Sequence, residues 1–284
     1  MSVMDWEQQF LSTRGRLGRK VFNLYVLFVF LLCVVLVVPI NILGASAFDS
    51  VSFFVGLAAQ GIVEAAVMPG IFLMVRRLHD LNHSGVYTVL AAIPGINVFF
   101  ILYLMLFKST KSDNRYGSEI TSQKEAGSAD SSYTLTEREK KYFSTEGRIG
   151  RIVLCKYIAV LLGTAAIALL ILLGLSFTSV PLYGIDLMDS DVANEFGWLL
   201  EALLGTHLLS ALSVAFPVYF LLVIAYDMLI IPADFLFVRR LHDIGFCGWW
   251  LLIIKVIPFA VVPFALVLMI AMGNEGSNKY GDLN

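Results

Sequence analysis

Long apolar runs alternate with short polar ones along this chain. Runs at 21–43, 51–75, 152–177 and 214–238 are nearly free of charge. Each has the roughly 20 residues that a helix needs to cross a ~30 Å hydrocarbon core, so they predict four spanning helices. Two further apolar runs, 86–107 and 249–272, are broken by proline, at Pro94 in the first and at Pro258 and Pro263 in the second. Proline removes a helix hydrogen bond and crowds the preceding turn, so each of these runs predicts two short helices. Between the third and fourth spans, Leu199, Leu200, Leu203, Leu204 and Leu208 recur at helical spacing, which predicts an interfacial helix over 196–211.

The same order of landmarks occurs twice. Ser12-Thr13-Arg14-Gly15-Arg16-Leu17-Gly18-Arg19 returns as Ser144-Thr145-Glu146-Gly147-Arg148-Ile149-Gly150-Arg151. Arg76-Arg77-Leu78-His79-Asp80 returns as Arg239-Arg240-Leu241-His242-Asp243, and Asn114-Arg115-Tyr116-Gly117 as Asn278-Lys279-Tyr280-Gly281. Three landmarks in one order make an internal duplication. The expected organisation is a membrane repeat over 1–117, a polar cytoplasmic linker over 118–141 with a short helix at 136–141, and a second repeat over 142–284. The second repeat carries an acidic outer insertion at about 178–212.

Composition agrees with a membrane setting. Of the 284 residues, 58% are hydrophobic and 15% charged, against about a quarter charged in soluble domains. The first twenty residues are polar and basic, so the first span is expected to act as an uncleaved anchor. Cys33, Cys155 and Cys247 lie in or beside apolar runs without CxxC spacing, and read as small buried hydrophobes.

Charge placement orients the chain. Residues 108–156 hold ten of the twenty lysines and arginines: Lys108, Lys111, Arg115, Lys124, Arg138, Lys140, Lys141, Arg148, Arg151 and Lys156. The 178–212 connection holds Asp186, Asp189, Asp191, Glu195 and Glu201 without a base. The positive-inside rule then puts both termini, both RRLHD motifs and the linker in the cytoplasm. For RRLHD and the linker to share a side, run 86–107 must enter and leave on one face as a hairpin. Such backbone is tolerated where it packs against protein. The alternative is three full spans per repeat, which would make the halves inverted repeats.

These landmarks resemble the domain of unknown function 805 family of small bacterial inner-membrane proteins. The family pattern is GRxxR, then RRxHD with an SGW-like turn, then NRYG. Ser84-Gly85-Val86 and Cys247-Gly248-Trp249 stand at the turn. Val86, Cys247 and Lys279 depart from the pattern, so the two copies are not equivalent if those side chains touch a ligand. The resemblance implies a bacterial inner-membrane location and a topology class, and no chemistry.

The candidate sites are few. Arg76, Arg77, His79, Asp80, Arg239, Arg240, His242 and Asp243 sit where a span meets the cytoplasm. Guanidinium pairs there can bind lipid phosphates, fix topology, or pair with Asp80, Asp243 or the closing motif of Asn114, Arg115, Tyr116, Asn278, Lys279 and Tyr280. Glu64 and Asp227 each precede the motif by twelve residues, with Pro69 and Pro232 between. Twelve helical residues span about 18 Å, which puts both acids inside the bilayer. There they serve either as packing groups or as a proton or cation path. Gln60 and Lys255 are their candidate partners. His83 beside His79 and Asp80 suggests a metal, but its counterpart is Phe246, so no metal is expected. No nucleotide loop, nucleophile motif or CxxC is present, and no cofactor or nucleic-acid partner is expected.

The fold expected is an all-α polytopic membrane protein of two homologous helical repeats, each with two full spans and a proline-broken hairpin. The function expected is a non-enzymatic lipid-organising or accessory component. Its partners would be anionic headgroups on the cytoplasmic side or another membrane protein. A small transporter or channel using the paired carboxylates is the alternative, and a lipid-modifying enzyme comes after it.

Overall fold

A computed structural model describes residues 3–44, 50–118, 133–178, 193–257 and 260–281. Among them the chain is helical, without a strand. In order come α1 (Val3–Phe10), α2 (Arg19–Gly44), α3 (Ser50–Asp80), a 3₁₀ helix (Gly85–Ala92), α4 (Ile96–Leu106) and α5 (Glu137–Tyr142). They are followed by α6 (Arg151–Thr178), α7 (Ala193–Ile244), α8 (Trp249–Val256) and α9 (Val261–Ile270). Four helices are long and apolar enough to cross a membrane, over Arg19–Leu36, Ala58–Asp80, Arg151–Ile171 and Phe220–Ile244. The chain is an all-α, multi-pass membrane protein. It divides into two compact units, residues 1–157 with 230–284, and residues 158–229. Both RRLHD motifs and both proline-broken segments belong to the first. The second holds the rest of α6 and the leading part of α7, with Asp227.

The segment after each RRLHD is a hairpin that returns to where it began. The 3₁₀ helix and α4 are separated by Pro94-Gly95, where Gly95 adopts φ +83°, a conformation that glycine takes without a steric penalty. The chain then comes back to the end of α3. The Thr110 N–H donates to Asp80 O at 3.2 Å, and in the second copy Asn274 N–H donates to Asp243 O at 2.9 Å. The arms are about 12–16 Å long, half or less of a ~30 Å hydrocarbon core. The proline-broken runs are therefore hairpins, and the four helices long enough to span leave two for each repeat.

One detail differs from the sequence reading. The 196–211 run is no separate interfacial helix. It is continuous with the fourth span in α7, where Pro217 and Pro232 lie inside the helix without ending it. The polar 136–141 stretch forms α5, closed by a capping box in which Thr136 and Glu139 bond each other's backbone N–H. It stands 132 residues after α1, the offset of the glycine–arginine motifs, and so is the second copy's counterpart of α1. Part of the acidic insertion, 179–192, and most of the linker, 119–132, lie outside the described residues.

Within the first unit the halves meet through residues that touch their own counterparts. Phe72 and Phe235 pack edge to face with centroids 4.8 Å apart. Thr13 N–H donates to Thr145 Oγ1 at 3.3 Å and Thr145 N–H to Thr13 Oγ1 at 3.2 Å. Self-pairing of this kind marks a pseudo-twofold axis between the halves. Each repeat contributes an equivalent apolar core. Leu17, Phe22, Leu73, Leu78, Phe100 and Leu104 pack together in the first. Ile149, Leu154, Leu236, Leu241 and Leu268 are buried at the matching places in the second. At the proline of α3 the Tyr25 hydroxyl donates to Ala66 O, and Gly70 leaves room for that ring.

Cysteines placed singly at exposed Asn82 and Lys111, in a cysteine-free background, test the hairpin. Both should react with a membrane-impermeant maleimide from the same face of sealed vesicles. Reaction from opposite faces would mean that 86–107 crosses.

Candidate functional site

Each RRLHD ends a long helix, and its second arginine and aspartate, three residues apart, lie on one face. Arg77 pairs with Asp80 and Arg240 with Asp243, with all four side chains buried. The first arginine of each glycine–arginine motif closes on the same carboxylate from the other side. Arg16 Nε donates to Asp80 Oδ1 at 3.1 Å and Arg148 Nε to Asp243 Oδ1 at 3.0 Å. One aspartate thus serves two guanidinium groups, and backbone carbonyls take up the remaining donors. Arg77 donates to Leu104 O at 2.9 Å and to Phe107 O; Arg240 donates to Leu268 O at 3.0 Å and to Ala271 O. These oxygens end α4 and α9, where a helix presents negative charge. Arg16 reaches Thr110 O at 2.6 Å and Ser112 O at 2.9 Å, and Arg148 reaches Asn274 O and Gly276 O. The arginines thereby draw each hairpin back to its origin.

The histidines belong to a second cluster. The His79 ring stacks on Tyr116 with centroids 3.9 Å apart, and His242 on Tyr280 at 3.7 Å. Asn114 and Asn278 hold the stacked tyrosines, donating from Nδ2 to the carbonyls of His79 and His242 at 2.9 and 2.8 Å. Arg115 lies over Tyr116 and Lys279 over Tyr280, 4.6 and 4.7 Å from the centroids. The Lys279 departure therefore leaves the contact equivalent.

Into each cluster comes a carboxylate from the other repeat. Glu139 of α5 lies 3.2 Å from His79 Nε2, and accepts from the Gly85 N–H at 2.6 Å and the Tyr116 hydroxyl at 3.2 Å. Glu7 of α1 lies 2.9 Å from His242 Nε2, and accepts from the Gly248 N–H at 2.5 Å and the Tyr280 hydroxyl at 3.1 Å. Burial pushes the Glu139 carboxyl up, but the hydrogen bonds from His79 and Gly85 and the charge of His79 outweigh it and hold it at about 2. Glu7 is held below the ordinary range by the same balance of burial against His242 and Gly248. Burial and the adjacent carboxylate push both tyrosine hydroxyls up, so they stay protonated donors.

The glycine of the small-residue turn has its reason here. A Cβ on Gly85 would lie 2.7 Å from Val75 Cγ1, and one on Gly248 would lie 3.1 Å from both Glu7 Oε1 and Val238 Cγ1. Sequence reasoning missed Glu7 and Glu139. The available signal was their placement nine residues before Arg16 and Arg148, respectively.

The remaining candidates lie elsewhere. The first arginines hold the leading helix of their own repeat: Arg76 donates to Gln9 O at 2.7 Å, and Arg239 to Lys141 O at 3.2 Å. Glu64 is exposed on α3 and accepts from Gln60 Nε2, one turn back, at 3.1 Å. Lys255 pairs with Asp234 at 2.8 Å, so the intramembrane ion pair uses a residue that the first copy replaces with Ile71. Asp227 lies in the other unit. His83 Nε2 is 2.8 Å from the Tyr103 hydroxyl, away from the His79 cluster.

The family model described as "Protein of unknown function (DUF805)" matches residues 10–118 and again 142–282. The chain belongs to the DUF805 family. It is 34% identical over 55 residues to "Inner membrane protein YhaI" of Escherichia coli K12, and equally to that of strain O157:H7. Those residues are 19% of this chain and 47% of the relative, so the match spans about half of the curated relative's length. No solved structure matches. The tandem DUF805 match covers all the RRLHD and closing motifs, while Glu7 lies ahead of the first matched segment and Glu139 between the two.

Two predictions follow the geometry. Gly85→Ala should destabilise the protein by about 1–3 kcal/mol through overpacking, read as a lowered apparent Tm. The Glu139 contribution to stability, set by a depressed carboxyl, is complete above the ordinary value of 4.5 and declines as pH falls toward about 2. Glu139→Gln should remove that part of the acid dependence in a pH series of thermal melts.

Proposed function

We propose that this DUF805 protein is a non-enzymatic component of a bacterial inner membrane that organises anionic lipid at its cytoplasmic rim. The observation that carries this reading is the inward commitment of the RRLHD clusters. In both copies Arg77, Asp80, Arg240 and Asp243 are buried and bonded to one another and to backbone carbonyls. A hydrolytic or transferase centre would instead turn several polar groups toward substrate. Headgroup recognition by those motifs gives way to recognition by the exposed bases around them: Lys20, Lys108, Lys111 and Lys156. Basic residues near an anionic leaflet contribute about 1 kcal/mol each. The positive-inside distribution supports termini and linker on the cytoplasmic side. The inner-membrane placement is supported by the E. coli relative's name. The transporter reading has less support, because Glu64 bonds within its own helix and Lys255 is held by Asp234.

Native mass spectrometry of protein exchanged into phosphatidylglycerol or phosphatidylcholine vesicles tests the proposal. Changing Lys20, Lys108, Lys111 and Lys156 to glutamine should cut retained phosphatidylglycerol by about tenfold or more, with little change in apparent Tm. Unchanged retention, or equal retention of phosphatidylcholine by the unaltered protein, would overturn it.

A further inference from the structure

We propose that the two repeats recognise each other as separate chains would, and that each cluster of histidine, glycine N–H and tyrosine is a socket for the leading helix of a second copy of the repeat. The leading helices are each held twice, by different halves. The C-terminal end of α1 is bound by Arg76 of its own repeat, while Glu7 enters the socket of His242, Gly248 and Tyr280 in the other. Helix α5 repeats this: Arg239 of its own repeat binds Lys140 O and Lys141 O, and Glu139 enters the socket of His79, Gly85 and Tyr116. The exchange is reciprocal, two helices for two sockets.

Around this exchange the contacts are self-paired, at Thr13 with Thr145 and Phe72 with Phe235. Arg14 meets Glu146 at 3.6 Å, two positions equivalent under the same offset. Apart from the Arg14–Glu146 pair, the bonds described across the interface are ones that two unlinked copies could form. The covalent connection through 119–132 supplies proximity, raising the effective concentration of one half for the other. None of the bonds described at either socket is donated or accepted by it.

The kind of partner that fits a socket is defined by its chemistry. It is a short helix bearing a carboxylate nine residues ahead of the arginine that closes on the motif aspartate. A chain with one copy of the repeat offers one such helix and one such socket. Its own arginine holds the helix end, so the carboxylate is directed to a second chain. The socket is selective, because the glycine admits no side chain and the buried N–H, imidazole and phenol together require an anionic acceptor.

The test uses the full chain with a protease site inserted between Ala126 and Gly127 on a Gly-Ser segment of about 20 residues. The protein is purified in detergent, cut, checked for complete cleavage by denaturing gel, and passed over a size column. The two fragments should co-elute, and dilution should part them only at low concentration. With Glu7→Gln and Glu139→Gln together, the concentration at half dissociation should rise by about a hundredfold, while the uncut variant elutes where the unaltered protein does. Should the double variant fail to fold uncut, either single substitution should give about tenfold. Fragments of the unaltered protein that separate on cutting would overturn the proposal, as would a double variant whose fragments stay together as tightly.

Discussion

Four guanidinium groups must be neutralised at the edge of an apolar medium with only two carboxylates among them, and the rest of the architecture answers to that shortage. Asp80 and Asp243 each stand between two arginines. An ion pair removed from water returns its desolvation cost only when every remaining donor is satisfied. The remaining donors here take main-chain oxygens from the last turns of α4 and α9 and from the loops beyond them. The hairpins return to the ends of α3 and α7 because those carbonyls are the acceptors within reach. Topology, in this protein, follows from hydrogen-bond accounting around arginine.

A second layer rests on the first. The loop that the arginines bring home carries Asn114 and Tyr116, or Asn278 and Tyr280, and sets each tyrosine against a histidine of the motif. The stacked pair, with a glycine N–H beside it, makes a receptor whose acid comes from the other half. Within the first unit, one repeat is therefore incomplete by itself. The inter-repeat contacts are polar and directional at the sockets and apolar at Phe72 and Phe235, so register is fixed by the former and close approach favoured by the latter.

Much of the fold was legible in the sequence because it is written in local patterns. The four spans follow from apolar length, and the hairpin from Pro94-Gly95 combined with the side on which the bases lie. The duplication follows from three repeated landmarks. The pairing of motif arginines with motif aspartates was one of the readings open for RRLHD. The sockets were not legible, since Glu7 and His242 stand 235 residues apart and Glu139 and His79 stand 60 apart. A lone glutamate in a polar stretch carries no mark of its partner. Lys255 was seen as a partner for the intramembrane acids, but helix packing gives it Asp234, which has no counterpart in the first copy. The leucine run at 196–211 gave the right helix and the wrong boundary, because periodicity does not say where a helix stops when internal proline fails to end it.

Self-pairing at the axis carries a consequence for divergence. When two identical chains meet across a twofold, any substitution at the axis confronts its own duplicate, and an acid would face an acid. Joining both copies in one chain removes that constraint, since each side of the interface is encoded separately. Arg14 facing Glu146 is such a case: the same position holds opposite charges in the two copies, a pairing forbidden to a symmetric assembly. The Asp234–Lys255 pair, built in one half alone, shows the same freedom within the membrane. In one chain the two halves can specialise without giving up their mutual fit.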